Sequence, residues 1–121
     1  MVLEMFAYTT DSCIPDVDFV EPEDSDEIGN WYQHPNLHGW MERLYRSKGG
    51  TDPYFNDAPV KLTLEDIDAL EQAVLKNELP HTTGEHFGES TADHKWQDLE
   101  FIAMARVRLA DGESAYYVTR W

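Results

Sequence analysis

The chain has 121 residues, with 24 Asp and Glu against nine Lys and Arg, for a formal net charge of −15. This length suits one domain with its own core, so we expect a single domain over residues 1–121. The negative charge opposes direct binding to nucleic acid or to an anionic membrane, because both would repel the carboxylates. Cys13 is the single cysteine, which excludes an internal disulfide framework and fits a reducing compartment.

The first residues carry neither the basic start nor the apolar run of a secretory signal, and no segment reaches the roughly 18 apolar residues that a membrane span needs. We therefore expect a cytoplasmic protein. Val2–Tyr8 is apolar and aromatic, with Glu4 as an interruption, and predicts a first strand. An acidic loop follows at about 9–24, where two prolines and many carboxylates replace any hydrophobic period.

The acidic loop belongs to a strongly asymmetric amino-terminal part of the chain, since residues 1–27 contain nine carboxylates and no Lys or Arg. A basic protein would be attracted to this region. An acidic surface can also serve only to keep a small protein soluble. The predicted acidic face consists of Asp16, Asp18, Glu21, Glu23, Asp24 and Asp26.

A short helix is predicted over about 25–33. Asp24 or Ser25 can cap it, and Glu27 stands three residues after Asp24, the spacing of a capping box. Pro35 marks the break after it. The segment between the acidic loop and Pro35 is therefore predicted to be the first helix.

A second helix is predicted from Asn36 to the glycine pair at 49–50, because apolar residues recur at i, i+3, i+4, i+7 and i+8. These positions are Leu37, Trp40, Met41, Leu44 and Tyr45. Residues 59–62 then predict a brief strand, and Thr63 with Asp66 predicts the cap of a third helix.

The last third of the chain predicts a loop over 79–90, a fourth helix from Ser90 or Thr91 to about Ala110, and a final strand over 115–121. On the fourth helix we expect an inward face of Trp96, Leu99, Ile102, Ala103 and Val107. The predicted fold class is therefore α+β, with about four helices packed on a small sheet of about three short strands.

His34, His38 and Glu42 are spaced at i, i+4 and i+8, which would suit a zinc site on an unbroken helix. Pro35 interrupts that spacing, so they remain weak metal candidates. We expect His38 to pack or hydrogen-bond at a helix start and His34 to be exposed. The loop histidines His81, His86 and His94 are expected to be solvated. No cofactor or metal is predicted.

Nucleophilic catalysis is not indicated by the sequence. The serines at 25, 47, 90 and 114 have no GxSxG context, and Cys13 lies among carboxylates that disfavour a thiolate. The glycine-containing loop before the fourth helix lacks the P-loop spacing, and its glutamates would repel phosphate.

An aromatic and polar set remains, and such residues are common both in interface hot spots and in the cores of small proteins. Core and groove are both open as interpretations. The candidate ligand- or partner-binding residues are Trp31, His38, Trp40, Arg43, Tyr54, Phe55, Asn56 and Phe87.

The segments HPNLHGWMERLYRSKGG, FN at 55–56, VKLTLEDIDALE, LPHTTG and AYYVTRW occur in this order between Trp31 and Trp121. In order and spacing they resemble a family of small bacteriophage proteins of unknown function. Some members carry a phosphoglycerate kinase label, which we reject because that kinase is a large two-domain enzyme. The chain departs from the family pattern at Glu85-His86-Phe87, where a run of aromatics is expected.

The resemblance and the charge together predict a non-enzymatic phage accessory protein of the infected bacterial cytoplasm. It would bind and modulate or inhibit a host or phage protein with a basic surface, the sharper form being mimicry of nucleic acid charge. The alternative is a small-molecule or nucleotide-binding protein, with aromatic rings stacking on a base. A metal-dependent enzyme is the weakest hypothesis.

Overall fold

The computed structural model describes residues 2–121 and confirms the α+β class, with three helices and four strands among them. In chain order the elements are β1 (Glu4–Thr10), β2 (Asp26–Tyr32), α1 (Pro35–Ser47), β3 (Val60–Leu62), α2 (Leu64–Leu75), α3 (Ala92–Ala110) and β4 (Ser114–Arg120). Within this part of the chain, no helix combines the length and apolar content that crossing a membrane requires.

The four strands form one antiparallel sheet in the order β2-β1-β4-β3. Strands β1 and β4 occupy its centre, in a register that places Glu4 opposite Arg120 and Thr10 opposite Ser114. The register of β1 against β2 shifts between Ala7 and Tyr8. Such an irregularity increases local twist. In the strand order, β2 forms one edge of the sheet.

The main core lies between the helices and one face of the sheet. Alternate residues of the central strands, such as Met5, Ala7 and Tyr117, point to this face and are fully buried. The helices contribute their apolar faces, and α2 begins at a capping box in which Thr63 and Asp66 bond each other's backbone N–H groups at 3.2 and 2.8 Å. The helical core residues are Leu37, Met41, Tyr45, Ile67, Leu70, Val74, Phe101, Ile102 and Ala105.

The acidic segment covers the opposite face of the sheet. Between β1 and β2, Ile14 is 7% exposed and packs with Phe19 against Tyr116 and Val118. The Phe19 ring meets the Tyr116 ring edge-on at 5.3 Å. The loop at about 9–24 therefore holds apolar anchors beneath its charges, and it gives the sheet a second, smaller core.

The helix predicted over about 25–33 is wrong, because this segment forms strand β2. Gly29 disfavours a helix interior, whereas Ile28, Trp31 and Tyr32 suit a strand. The expected cap is used differently as well: Asp24 accepts from the Thr10 hydroxyl at 2.7 Å and fastens the loop to the end of β1.

The fourth predicted helix exists as α3, and its inward face matches the predicted one only in part. Ile102 is buried and Leu99 packs against the core as expected, whereas Ala103 is exposed. Trp96 and Val107 are 69% and 58% exposed, while the residues that turn inward include Asp98, Phe101 and Ala105. The inward face includes an aspartate, whose partners lie in β2 and at the start of α1. A pattern based on apolar residues alone would not include it.

Candidate functional site

Several residues of the predicted aromatic face lie inside the core. Trp31, His38 and Phe55 are 3%, 2% and 1% exposed, so each of them presents almost no surface to a partner. The His38 ring stacks on Phe55 at 4.9 Å, and its Nδ1 lies 2.9 Å from the Tyr117 hydroxyl. Burial lowers the pKa of His38 to about 4, so this imidazole is neutral at physiological pH.

The remaining members of that set divide between support and surface. Asn56 is half-buried and bonds the backbone of Trp121 through both ends of its amide, at 2.9 and 3.1 Å. Trp40 and Phe87 pack partly buried against the core. Tyr54 and Arg43 are exposed. Of the eight candidates, these two have the freest side chains.

The weak metal candidates are not brought together. His34 bonds Asp98, His38 bonds Tyr117, and Glu42 pairs with Arg46 at 3.2 Å, one turn along α1. Within residues 2–121, no three His, Cys, Asp or Glu side chains are grouped closely enough to hold a metal ion.

A hydrogen-bonded chain of four side chains runs from a cavity into the core. The Ser90 hydroxyl lies 2.6 Å from His34 Nδ1, and His34 Nε2 lies 3.0 Å from Asp98 Oδ2. The indole N–H of Trp31 donates to Asp98 Oδ1 at 3.0 Å. His34 and Asp98 are 3% and 1% exposed, so most of these four side chains are shielded from water. The expectation that His34 is exposed is therefore wrong, because its ring is held between Ser90 and Asp98.

Short-range features of the sequence fix these residues in place. Pro35 opens α1 and leaves His34 at the N-cap position. The backbone N–H of Asn36 donates to the Ser90 hydroxyl oxygen at 3.1 Å, which ties the segment before α3 to the start of α1. The loop between α2 and α3 packs closely on α1 at Gly39, where a Cβ would lie 1.9 Å from the Thr82 hydroxyl oxygen.

His94 is not the solvated loop residue that was expected, because it lies partly buried in the first turn of α3 and joins this cluster. Its ring stacks on the His34 ring, with centroids 4.2 Å apart and planes 7° apart. The Thr91 backbone N–H donates to His94 Nδ1 at 2.9 Å, so the ring proton lies on Nε2, 3.1 Å from the Tyr32 carbonyl. Burial, and then the neighbouring His34, lower the pKa of His94 and favour its neutral form.

Ser90 and His34 open onto a cavity of about 280 Å³ at the start of α3. Its other walls are Asn36, Val74, Asn77, Leu79, Thr91, Ala92, Lys95 and Asp98. The pattern of residues along the chain does not indicate this cluster, because Asp98 and its partner His34 are 64 positions apart. The available signal was the i, i+4 spacing of His94 and Asp98, which places both on one side of a helix.

The acidic face contains both held and free carboxylates. Glu21 forms two bonds with Arg120 at 3.0 and 2.9 Å, and Asp18 accepts from the Tyr45 hydroxyl. The hydrogen bond from Thr10 is the largest of the effects that lower the pKa of Asp24. The other members are exposed, namely Asp16, Glu23 and Asp26, the last lying 3.5 Å from Arg108.

The outer edge of β2 is a second candidate surface. The Gln33 N–H donates to the Leu3 carbonyl at 2.9 Å and so faces β1, which turns the backbone groups of Tyr32 and Asn30 outward. The Tyr32 carbonyl is the acceptor for His94, which covers the last residue of this edge. Beside this edge, a groove between β2 and α3 is lined by Glu27, Ile28, Gly29, Asn30, Trp31, Gln97, Glu100 and Phe101.

Structurally, the chain is a small α+β domain with a four-stranded antiparallel sheet. Comparisons with protein-family models, with curated proteins and with solved structures find no match.

Proposed function

We propose that this chain binds another protein through an extended, basic segment that docks along strand β2. The observation that carries the proposal is the open edge of the sheet next to carboxylates. Among residues 2–121, β2 pairs with a strand on one side only, and Glu27 and Glu100 line the groove beside its other side. On that outer side the Tyr32 carbonyl already accepts from His94, so the edge available to a peptide is the part of β2 before Tyr32. An extended peptide can add to such an edge through main-chain hydrogen bonds.

The charge distribution supports a basic occupant. Asp26, Glu27 and Glu100 are exposed along or beside this edge, within a chain of net charge −15. Such a field raises the association rate of a positively charged partner and repels anionic ones. The docking segment would place its Lys or Arg side chains toward these carboxylates.

Exposed aromatic residues supply a source of specificity at the same place. Tyr32 ends β2 and is 57% exposed, and Trp96, one turn before Glu100 on α3, is 69% exposed. Tyr and Trp are enriched among the residues that dominate binding energy at interfaces. The expected biological role remains that of a phage accessory protein which modulates or inhibits a basic host or phage protein.

A charge-reversal experiment tests the site. The probe is a fluorescein-labelled peptide of alternating Lys and Val, measured by fluorescence anisotropy at low and moderate salt. Glu27→Lys with Glu100→Lys should weaken binding by about tenfold, since two favourable charge contacts become repulsive. Salt should weaken wild-type binding through screening.

The control reverses two exposed carboxylates on and just after α2. Glu65→Lys with Glu78→Lys makes the same change in net charge and should have a much smaller effect on binding. Asn30→Pro removes an outward backbone N–H and should also weaken binding. Equal losses in the two double variants would show that only net charge matters, and would contradict docking at β2.

The alternative, a small-ligand binder, has one observation in its favour. The aromatic rings expected to stack on a base are enclosed, but the cavity at Ser90 is open and carries Lys95 on its wall. A small anionic or polar ligand would suit that cavity better than the core around His38.

A further inference from the structure

The hydrogen-bond pattern around His34 defines the direction in which a proton can move. Both oxygens of Asp98 are acceptors, one for the Trp31 indole N–H and one for His34 Nε2. His34 therefore carries its proton on Nε2 and leaves Nδ1 free to accept from the Ser90 hydroxyl at 2.6 Å. When His34 is neutral, the Ser90 hydroxyl donates to His34 Nδ1, and the Asp98 carboxylate orients the imidazole.

This is the arrangement of a Ser-His-Asp triad, with the roles of the two ring nitrogens exchanged. The exchange leaves the chemistry intact, because the nitrogen facing the serine is still the one without a proton. His94 stacks on the imidazole and limits its tilting. The Asn36 N–H, 3.1 Å from the serine oxygen, favours negative charge on that atom.

The cavity gives the hydroxyl access to a small substrate. Its volume of about 280 Å³ is just below the range of roughly 300–1,000 Å³ for ligand pockets, which limits the substrate to a small molecule. Val74 and Leu79 provide apolar wall, while Lys95 and the amino-terminal end of α3 bring positive charge. That combination suits a short acyl group whose carbonyl oxygen becomes negative during reaction.

We propose that Ser90 is a nucleophile, activated by His34 and oriented through Asp98, that takes the acyl group of a small carboxylic ester. The Ser90 oxygen forms a bond to the carbonyl carbon while its proton passes to His34 Nδ1. The carbon–oxygen bond to the alcohol breaks, and the alcohol leaves with that proton. Water then attacks the acyl carbon and gives a proton to His34. The bond from that carbon to the Ser90 oxygen breaks, His34 returns the proton to the Ser90 oxygen, and the carboxylic acid is released.

The first test is covalent labelling by diisopropyl fluorophosphate, followed by peptide mass spectrometry. Attack by Ser90 forms an oxygen–phosphorus bond and expels fluoride, so the expected product is one adduct per chain, on Ser90. Ser90→Ala should abolish it, whereas Ser47→Ala, at an exposed serine in α1, should not change it. His34→Gln should slow labelling by roughly 10²-fold or more.

Asp98 is assigned as a positioning residue, and Asp98→Asn separates positioning from packing. The Trp31 indole can only donate, so the asparagine oxygen must face it and the amide NH₂ must face His34. This forces the imidazole proton onto Nδ1, the nitrogen that faces Ser90, so that this nitrogen can no longer accept the serine proton. The labelling rate should fall by roughly 10⁴-fold. The thermal midpoint should change far less than the rate, since the side chain keeps its shape.

A second measurement keeps the proposal open to refutation if a variant fails to fold. Wild-type protein should hydrolyse p-nitrophenyl acetate with a burst of p-nitrophenol equal to one acyl group per chain. Wild-type protein that shows no burst and no serine adduct would overturn the proposal, as would labelling spread over several serines. Unchanged labelling in a folded Asp98→Asn variant would refute the role of the carboxylate.

Discussion

The imidazole of His38 is enclosed by aromatic rings in the main core, where a charged form would be poorly solvated. Burial moves its pKa from 6.5 to about 4. The unfolded chain therefore binds a proton at pH 5–6 that the folded chain does not bind. Folding stability contributed by neutral His38 is present above about pH 6.5 and is lost as the pH falls toward 4.

We predict that the free energy of unfolding decreases by about 3 kcal/mol over this interval through His38 alone, because each tenfold loss of proton affinity on folding corresponds to about 1.4 kcal/mol. His38→Asn keeps a polar atom close to the Tyr117 hydroxyl and removes the titrating ring. Urea unfolding at several pH values between 5 and 7 should give a flatter dependence for the variant, even if its stability is lower throughout. Equal slopes in both proteins would contradict this assignment.

From residue type alone, the chemistry of a side chain could be predicted better than its position in the core or at the surface. His38 packs at a helix start as expected, but Trp31 and Phe55 could equally have been core or groove, because aromatic residues serve both. Nothing in the local sequence around Ser90 indicates His34, since the contact depends on how the loop before α3 meets α1. Long-range polar contacts of this kind depend on how the elements pack together, and the periodicity of apolar residues along the chain does not predict them.

At the level of elements, the acidic segment is a structural cover as well as a charged surface. Ile14 and Phe19 fix it to the second face of the sheet, and Glu21 bonds both Arg120 and Tyr116. Its charges are exposed while its apolar side chains face inward. Neutralising Asp16, Glu23 and Asp26 should therefore leave the fold intact, since their side chains are not part of this anchoring.

We predict that Ile14→Ala destabilises the protein by about 2 kcal/mol, as the truncation of a residue only 7% exposed. The matched control is Val20→Ala in the same segment, where the side chain is 93% exposed and its loss should have little effect. Chemical denaturation of the two variants measures the difference. A fold that tolerates both equally would show that the segment only lies on the sheet without stabilising it.

Elements with strong local signals were predicted close to their observed bounds. The Thr63 cap located the start of α2, and the β-branched and aromatic content of 115–121 located β4 to within one residue. The helix predicted over 25–33 is wrong because a possible cap and one matching spacing are weaker signals than Gly29 and the strand-forming residues around it. Only pairing with β1 decides the matter, and that partner lies across the acidic loop.

Over the whole molecule, the excess of carboxylates lowers the stability of the folded state at low ionic strength. The net charge is −15, and many of the carboxylates are exposed. Like charges repel more strongly when the chain is compact, and salt screens them beyond about 10 Å at 0.1 M. Screening should therefore favour the folded state.

We predict that the thermal midpoint rises when sodium chloride is increased from 10 mM to 500 mM. Calorimetry on the wild type and on Asp16→Asn with Glu23→Gln and Asp26→Asn should show a smaller rise in the variant, which carries three fewer negative charges. Sodium chloride at these concentrations has little effect on apolar burial, so the difference reports repulsion. A midpoint that falls with salt would instead show that attractive ion pairs dominate.

The central pairing of β1 with β4 joins strands that lie near opposite ends of the described sequence. The middle of the sheet cannot form until almost the entire chain has been brought together, and such distant closure is slow compared with the formation of local helices. The helices can gather early, but the two inner strands have to meet late. During synthesis, β1 cannot pair with β4 until β4 has been made. In that interval the apolar face of β1 is accessible to chaperones and to other incompletely folded chains.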